Sequence, residues 1–338
     1  MAEFREITEK MVWENFLLSQ KETPFLQSWC WGAVQEKEGF KVHRIGIYNA
    51  EKLAGIVLAV LVKAKRGNFF HIRQGPVLES WSWDLFKELT NYLQDLGKRE
   101  KADFVRIVLP LDYSEDSCSK LKLFGYKITI DGNKNGLRTL FIDLTQDLET
   151  IKSQFRKNTR YYVNRAEKKG VQIRLLDSPQ SDISEFLKLL NETGERKGFF
   201  VDKQVEDEFR EFSKNGDAVV VQAEFEGGVL AAGLYIYYGK QGNSHYRGTS
   251  KNHSELRAAN LLHWKAIELA KEKGKEVFNL WGVAPEDDKK HPWAGFSEFK
   301  RGFSKNEKVY IQVHDLPISK KYYLTRLYEQ LVSLKRGY

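Results

Sequence analysis

Residues 255–303 read ELRAANLLHWKAIELAKEKGKEVFNLWGVAPEDDKKHPWAGFSEFKRGF, and their pattern decides the fold. Apolar residues at helical spacing predict a long helix from Leu256 to Lys273, and the apolar run from Glu276 to Trp281 predicts a strand. After this strand we expect a loop that ends in the run GFSEFKRGF, residues 295–303. This run combines aromatic and basic side chains, and we take it as the candidate functional segment.

The order of elements around this helix also occurs earlier in the chain. Each half shows three strands in an antiparallel meander, then a helix and a fourth strand. The first copy is predicted at 41–48, 53–63, 68–73, 80–98 and 104–109, and the second at 218–225, 229–238, 244–248, 256–273 and 276–281. Gly67-Asn68 corresponds to Gly242-Asn243, and Pro110 corresponds to Pro285. The sequence therefore predicts two copies of a βββαβ unit.

A helix between two strands of one sheet implies a parallel crossover, so each copy requires a mixed sheet flanked by helices. We predict an α/β or α+β protein that resembles the N-acetyltransferase (GNAT) fold in duplicate. The predicted domains are 1–145, 146–317 and a C-terminal helix, 318–338, packed on the body. Coenzyme A sites of that fold use paired glycines at a helix start, which the loops 73–77 and 257–260 lack.

Composition restricts the classes of function. A chain of 338 residues is longer than one hydrophobic core usually supports, which favours two domains. The net charge of +8 suggests an anionic partner such as RNA, a nucleotide sugar or a lipid surface. Charged residues near the start predict no signal peptide, and the longest apolar run, Leu53 to Val62, is too short to span a bilayer. We therefore expect a cytoplasmic protein.

Between the copies, residues 151–170 predict a basic amphipathic helix. Four apolar residues share one face, and the basic residues Lys152, Arg156, Lys157 and Arg160 lie away from it. Such a helix is equally typical of a solvated surface and of a site that contacts phosphate or RNA. The C-terminal segment from Lys320 is also a basic amphipathic helix. Its apolar face predicts packing on the second domain, and contact with tRNA or anionic lipid stays open as an alternative.

Several motifs occur in an order that resembles the FemABX family of non-ribosomal peptidyltransferases. These motifs are Gln27-Ser28 with Trp31, Gly75-Pro76, the segment 143–171, the segment 193–199, Trp281-Gly282, and Gly295 to Phe303 followed by Asp315-Leu316-Pro317. Their order along nearly the full chain is more specific than any single motif. The segment 182–215 is too short for the helical arm that some members carry, so the chain resembles the shorter members.

The resemblance implies a function and its partners. Members of this family transfer an amino acid from aminoacyl-tRNA to the stem-peptide amine of a peptidoglycan precursor, which lies between the two domains. We expect the acceptor to be UDP-MurNAc-pentapeptide or its lipid-linked successor, with peripheral contact to the inner membrane surface. We expect a monomer that uses aminoacyl-tRNA as co-substrate and needs no cofactor. The histidines show no ligand spacing, so no metal site is predicted.

The chemistry is the aminolysis of an ester, which requires orientation, loss of one amine proton and stabilisation of an oxyanion. By resemblance, Lys300 and Phe299 are the catalytic candidates. Lys300 matches a lysine near the reacting groups, and Phe299 could stack on the terminal adenine. Their alternatives are a surface lysine in a basic loop and a core aromatic. The tRNA-binding candidates are Lys157, Arg160 and Arg301.

The resemblance also implies residues that bind the precursor. Arg196 matches an arginine that pairs with the diphosphate, a task suited to a bidentate guanidinium, and its alternative is an ordinary arginine at a helix end. The remaining candidates for binding the precursor are Tyr246, Arg247, Arg73, Gln35 and Trp31. Arg73 and Arg247 occupy matching places in the two copies, which equally favours a structural role. Tyrosines are frequent in the strand before Tyr246.

The chain departs from the family pattern at three positions. Gln35 stands where lysine is frequent, which weakens one diphosphate contact or moves it to Lys37. Leu109 replaces an acidic residue before a proline, and Asn279 replaces an aspartate. Two rival functions stay open, an acyl-coenzyme A-dependent N-acyltransferase of the same fold and a non-enzymatic RNA-binding protein.

Overall fold

The computed structural model describes residues 2–65, 67–130 and 138–336. The chain divides into two compact units. The first comprises Met1–Leu137 and Val309–Tyr338, and the second comprises Arg138–Lys308. These limits differ from the predicted boundaries after 145 and 317. The strand that begins at Arg138 pairs within the second sheet, whereas the strand His314–Pro317 pairs within the first.

The first unit contains a mixed sheet and five α-helices in its described part. Its strands are β1 (Glu3–Glu6), β2 (Lys41–Asn49), β3 (Lys52–Ala64), β4 (Gly67–Arg73), β5 (Val77–Leu78), β6 (Phe104–Val108), β7 (Lys127–Ile128) and β15 (His314–Pro317). Its helices are α1 (Lys10–Ser19), α2 (Trp29–Lys37), α3 (Trp83–Arg99), α4 (Glu115–Leu123) and α11 (Lys321–Arg336).

The strand order of this sheet is β1-β2-β3-β4-β6-β15-β7, and β5 pairs with β3. Strands β2, β3 and β4 form the predicted antiparallel meander, and β4 pairs in parallel with β6 after the crossover through α3. Ser82 caps the N-terminus of α3, because its hydroxyl accepts a hydrogen bond from Leu85 N. It buries Phe86, Leu89 and Leu93 in the core of the sheet.

The Gln27-Ser28 motif has a structural role in this unit. Strands β3 and β4 pair only as far as Val60 and His71, and beyond that point the buried side chain of Gln27 connects them. Its amide nitrogen donates to Arg73 O at 2.7 Å, and its amide oxygen accepts from Leu58 N at 2.8 Å. The motif therefore closes a gap in the sheet with two side-chain hydrogen bonds.

Helix α11 belongs to the first unit, not to the second domain as predicted. Arg106 on β6 explains this position. Its guanidinium donates to both carboxylate oxygens of Asp315, at 2.8 and 2.9 Å, and to Glu329 of α11 at 3.1 Å. A largely buried arginine requires such partners, and they bring β15 and α11 to the first sheet. Residues 337 and 338 of the predicted helix lie outside the described part of the chain.

The second unit repeats the arrangement of the first. Its strands are β8 (Arg138–Asp143), β9 (Gln172–Leu176), β10 (Ala218–Phe225), β11 (Gly228–Tyr238), β12 (Gln241–Thr249), β13 (Val277–Val283) and β14 (Asn306–Val309). Its helices are α5 (Leu148–Ser153), α6 (Lys157–Lys168), α7 (Ser184–Lys197), α8 (Val205–Ser213), α9 (Ala258–Glu272) and α10 (Ala294–Arg301).

The sheet order is β14-β8-β13-β12-β11-β10-β9, with β12 and β13 parallel, so the predicted meander and crossover are confirmed in this copy as well. Two local predictions were wrong. The basic helix predicted at 151–170 is two helices, α5 and α6, separated near Arg156. The segment predicted as a loop before Phe303 contains helix α10.

No helix in the described ranges is both long enough and apolar enough to cross a membrane.

Helix α7 packs closely on strand β12 at Gly248. A Cβ atom on Gly248 would lie 2.4 Å from the carbonyl carbon of Leu189 and 2.5 Å from Leu190 N, both backbone atoms of α7. Gly248→Ala should therefore lower the free energy of unfolding by about 1–3 kcal/mol, because the helix must move away from the strand. Urea unfolding followed by circular dichroism measures this change.

Gly295→Ala is the matched control, because a Cβ atom there meets no atom within 4 Å. It should change the free energy of unfolding by less than about 1 kcal/mol. Equal effects of the two substitutions would contradict the proposed contact between α7 and β12.

Candidate active site

The candidate site in the second unit begins at the irregular end of β13. The pairing of β13 with β8 shifts register between Asn279 and Gly282. Trp281 has a φ of 62°, in the left-handed region that non-glycine residues rarely adopt, and its N–H donates to Asn279 Oδ1 at 2.8 Å. Asn279, which departs from the family pattern, thus holds the distorted strand end. Such distortions are common beside functional sites.

Helix α10 is fixed to this strand end by two polar side chains. Ser297 Oγ accepts from Ala284 N and donates to Trp293 O, both at 2.8 Å. Arg301 donates to Ala284 O at 2.5 Å and also contacts Glu307. Arg301 is 9% exposed, so its guanidinium serves this anchoring contact and is largely withdrawn from the surface where we predicted tRNA binding.

The anchored helix places Lys300 over the end of β13. Its Nζ donates to Gly282 O at 2.8 Å, and the side chain is half-buried. Burial lowers the pKa of Lys300 to about 7, and the positive charge of Arg247 contributes to the same direction. Among the described residues no carboxylate forms an ion pair with Lys300. The ammonium and the free amine are therefore both populated near neutral pH.

Arg247 on β12 is the second cation of this site. Its guanidinium carbon lies 3.9 Å from the centroid of the Phe299 ring, a cation–π contact with a partly desolvated arginine. Burial lowers the pKa of Arg247, although it remains a cation at physiological pH. Within the described ranges no acid pairs with it. The site thus brings together three predicted residues, Lys300, Phe299 and Arg247, and carries excess positive charge.

His263 on α9 lies against the same aromatic residues, and the sequence analysis did not single it out. Its ring centroid is 5.6 Å from that of Phe299 and 4.7 Å from that of Phe303, and its Nδ1 is 3.3 Å from the hydroxyl of Tyr235. Burial, followed by the charges of Arg247 and Lys300, holds the pKa of His263 well below its usual value. A histidine on the apolar face of the predicted helix, among Leu262, Ala266 and Ile267, is the sequence signal for this buried neutral imidazole.

Tyr246 belongs to a different group of residues in the second unit. The pairing of β12 with β11 skips His245, and this bulge lets both His245 and Tyr246 reach the fully buried carboxylate of Glu208 on α8. His245 Nε2 is 2.6 Å from Glu208, and the Tyr246 hydroxyl donates to Glu208 at 3.3 Å. The hydroxyl predicted to bind the precursor therefore has an internal acceptor.

Arg196 lies near the end of α7 and remains exposed. Its Nη2 donates to Thr249 O at 2.9 Å and contacts the Thr249 hydroxyl at 3.1 Å. This contact attaches the guanidinium to the end of β12 through one nitrogen. The described residues form no hydrogen bond with its other two nitrogens, so one edge of the fork can meet an anionic ligand.

Of the other predicted site residues, some have partners within the chain and Lys157 is exposed to solvent. Arg160 donates to Ser153 O and Phe155 O, both at 2.6 Å, and so satisfies carbonyls at the end of α5. Lys157 is exposed at the start of α6. In the first unit, Arg73 at the end of β4 lies 5.2 Å from the ring centroid of the buried Trp31, and Gln35 is buried in α2.

The FemAB family model matches residues 8–215 and 201–330, which is nearly the whole chain. The chain belongs to the FemAB family. The predicted resemblance is thereby confirmed, and it supports a transferase, in general terms a peptidoglycan-related aminoacyltransferase. The segment GFSEFKRGF, which forms α10 and the residues after it, lies inside the matched range.

Solved structures agree with a duplicated GNAT-like fold. A crystal structure of FemX matches with a TM-score of 0.81 and 17% identity, over 95% of this chain and 99% of that chain. A tandem GNAT protein from the clavulanic acid biosynthesis pathway matches with a TM-score of 0.56 and 10% identity, over 94% and 99%. L-PGS from Bacillus licheniformis matches with a TM-score of 0.53 and 16% identity, over 87% and 95%. At these identities the likeness concerns the fold.

The desolvated lysine of this FemAB protein predicts a pH-dependent stability. Lys300 has a pKa of about 7 in the folded chain and about 10.5 when unfolded. Between these values the unfolded chain binds more protons, so this residue makes the free energy of unfolding rise with pH, by up to about 1.4 kcal/mol per unit. Lys300→Met removes this contribution. The stability advantage of the variant over the wild type should be fully present below pH 7 and shrink as the pH rises from 7 toward 9.

Urea unfolding at pH 7, 8 and 9 measures the difference between the two proteins. Lys305→Met, at an exposed lysine, is the control and should show no such pH-dependent difference. If the curves of Lys300→Met and the wild type run parallel over this range, Lys300 is solvated and the desolvated site is refuted.

Proposed function

We propose that this protein transfers an amino acid from aminoacyl-tRNA to the stem-peptide amine of a peptidoglycan precursor. Family membership supports the general reaction class. The observation that carries the proposal is the half-buried Lys300 beside Arg247, with no carboxylate paired to either cation among the described residues. Such a site favours groups that carry or develop negative charge, as the ester of aminoacyl-tRNA does during attack by an amine.

The reaction needs no covalent intermediate. The precursor amine attacks the ester carbon, the new amide bond forms, the bond to the tRNA ribose oxygen breaks, and a proton moves from the amine to that oxygen. Cysteine catalysis is disfavoured, because Cys30 is buried and burial raises the pKa of Cys118, which keeps its thiol protonated. The tasks left for the protein are orientation, charge stabilisation and transfer of one proton.

Lys300 suits two of these tasks. As an ammonium it stabilises the tetrahedral oxyanion and can donate its proton to the leaving ribose oxygen. A pKa of about 7 also allows the free amine to accept a proton from the attacking group. Arg247 supplies a fixed charge that makes loss of the lysine proton easier, and Phe299 holds the guanidinium in place.

The binding roles of the other candidates follow from their exposure. Arg196 presents the unengaged edge of its guanidinium to the diphosphate of the precursor. Lys157 is available to tRNA phosphate at the start of α6. We assign the reaction to the cytoplasmic side of the membrane, with aminoacyl-tRNA as co-substrate, no cofactor and a monomeric enzyme.

A mass-spectrometric assay tests the proposal. Purified protein is incubated with a mixture of charged tRNAs and either UDP-MurNAc-pentapeptide or its lipid-linked form, and a parallel reaction contains acetyl-coenzyme A instead of tRNA. We expect a mass gain of one amino acid that ribonuclease abolishes. An acetyl gain in the parallel reaction, or no gain with either acceptor, would contradict the proposal.

The same assay tests the role of Lys300. Lys300→Met should lower turnover by about 10²–10³-fold, because the charge that stabilises the oxyanion is lost. Affinity for tRNA should change less than about threefold, and Lys305→Met should retain full turnover. A purely RNA-binding protein would instead show no turnover in the wild type, with Lys300→Met reducing only affinity and its dependence on salt.

A further inference from the structure

The C-terminal helix α11 turns most of its large apolar residues toward solvent and away from the first unit. Five large apolar residues of this helix are exposed: Tyr323 (53%), Leu324 (68%), Leu327 (55%), Tyr328 (47%) and Leu331 (53%). The face turned toward the first unit holds mainly polar residues, and Tyr322, Thr325 and Ser333 are buried there. Helices that pack on a core by the hydrophobic effect show the reverse arrangement.

Polar contacts hold the helix in this orientation. Glu329 binds Arg106 on β6 at 3.1 Å. Arg326 donates to Ile128 O at 2.8 Å and to the Tyr322 hydroxyl at 3.1 Å. The orientation therefore follows from a specific ion pair and hydrogen bonds. The leucine face, which we define as Tyr323, Leu324, Leu327, Tyr328 and Leu331, is left on the surface.

The surroundings of the leucine face are basic. Residues 320–336 contain five lysines and arginines and a single acid, Glu329, which pairs with Arg106. Two of the five basic residues have partners in the first unit, because Lys321 pairs with Asp103 at 3.6 Å and Arg326 donates to Ile128 O, while Lys320 is exposed. Lys127 on β7 lies 5.8 Å from the Tyr323 ring centroid and adds a further cation beside this face. An amphipathic helix with exposed leucines, tyrosines and flanking basic residues has the pattern of a helix that lies in a membrane interface.

A second copy of the chain fits the leucine face less well. A helix of 16 residues is about 24 Å long and about 10 Å wide, so its exposed side covers about 240 Å². A stable protein interface needs about 800 Å² from each partner. In a symmetric dimer the same patch would also meet itself and bring the two basic helices together. Area and charge therefore both favour an anionic surface over a second protomer.

We propose that α11 docks the protein on an anionic membrane surface, with the leucine face inserted between lipid headgroups and the basic residues on the phosphates. Lysine and arginine side chains can keep their charges at the headgroups while their apolar stems follow the helix into the interface. The helix lies on the bilayer and does not cross it. This docking does not rest on the transfer reaction, because it follows from the burial and charge of α11 alone.

Vesicle flotation with the full-length protein tests the docking. The probes are vesicles of phosphatidylcholine alone and vesicles with about one third phosphatidylglycerol. The test variant is Leu324→Ser/Leu327→Ser/Leu331→Ser. The control variant is Met11→Ser/Leu18→Ser/Leu175→Ser, which removes three exposed apolar side chains elsewhere. Because all six side chains are exposed, both variants should fold, which circular dichroism and the unfolding midpoint verify.

We expect the wild type and the control to float with anionic vesicles, less so with neutral vesicles, and less at high salt. The test variant should bind anionic vesicles at least tenfold more weakly. The proposal is overturned if the wild type does not float, or if the test and control variants bind equally. It is also overturned if the wild type is a dimer by sedimentation velocity and only the test variant is monomeric, or if the test variant loses tRNA binding while it keeps vesicle binding.

Discussion

The site holds two cations, Lys300, which follows Phe299 in helix α10, and Arg247, which lies against the Phe299 ring, and the described residues pair no carboxylate with either. Desolvation without an opposite charge is costly, so the surrounding elements must hold these groups firmly. The Gly282 carbonyl accepts from the ammonium, the Phe299 ring lies against the guanidinium, and the neutral His263 packs on Phe299. The distorted end of β13 and the anchors of α10 serve this arrangement. The excess charge is the feature from which the proposed reactivity follows.

The two copies share a contact between an arginine and an aromatic ring, but the ring comes from a different part of each copy. Each places an arginine near the end of its third meander strand and packs it on an aromatic ring, Arg73 on Trp31 and Arg247 on Phe299. In the first copy the ring comes from a helix before the meander, and Gln27 joins the strands where their pairing ends. In the second copy the ring comes from α10, the helix that follows β13, and that helix also carries Lys300.

The sequence predicted the repeated meander and crossover because hydrophobic periodicity is a local signal. It could not show that Arg106 pairs with Asp315 and Glu329, more than 200 positions away, so the return of the chain to the first unit and the orientation of α11 were missed. In α11 the leucine pattern predicted a buried apolar face. The ion pair of Glu329 with Arg106 instead turns the polar face toward the sheet and leaves the leucines exposed. In the site, the family resemblance indicated Lys300 and Phe299, but only the fold distinguishes the buried anchor Arg301 from the exposed Lys157.

Nuclear magnetic resonance of protein labelled with carbon-13 at lysine Cε tests the central claim most directly. The Lys300 signal, assigned as the one missing from Lys300→Arg, is followed from pH 5.5 to 11. We expect its midpoint near pH 7, well below that of an ordinary lysine, because the ammonium is desolvated beside Arg247. A midpoint near 10.5 would mean that Lys300 is solvated or paired with an acid, and would contradict the account of an uncompensated cationic site.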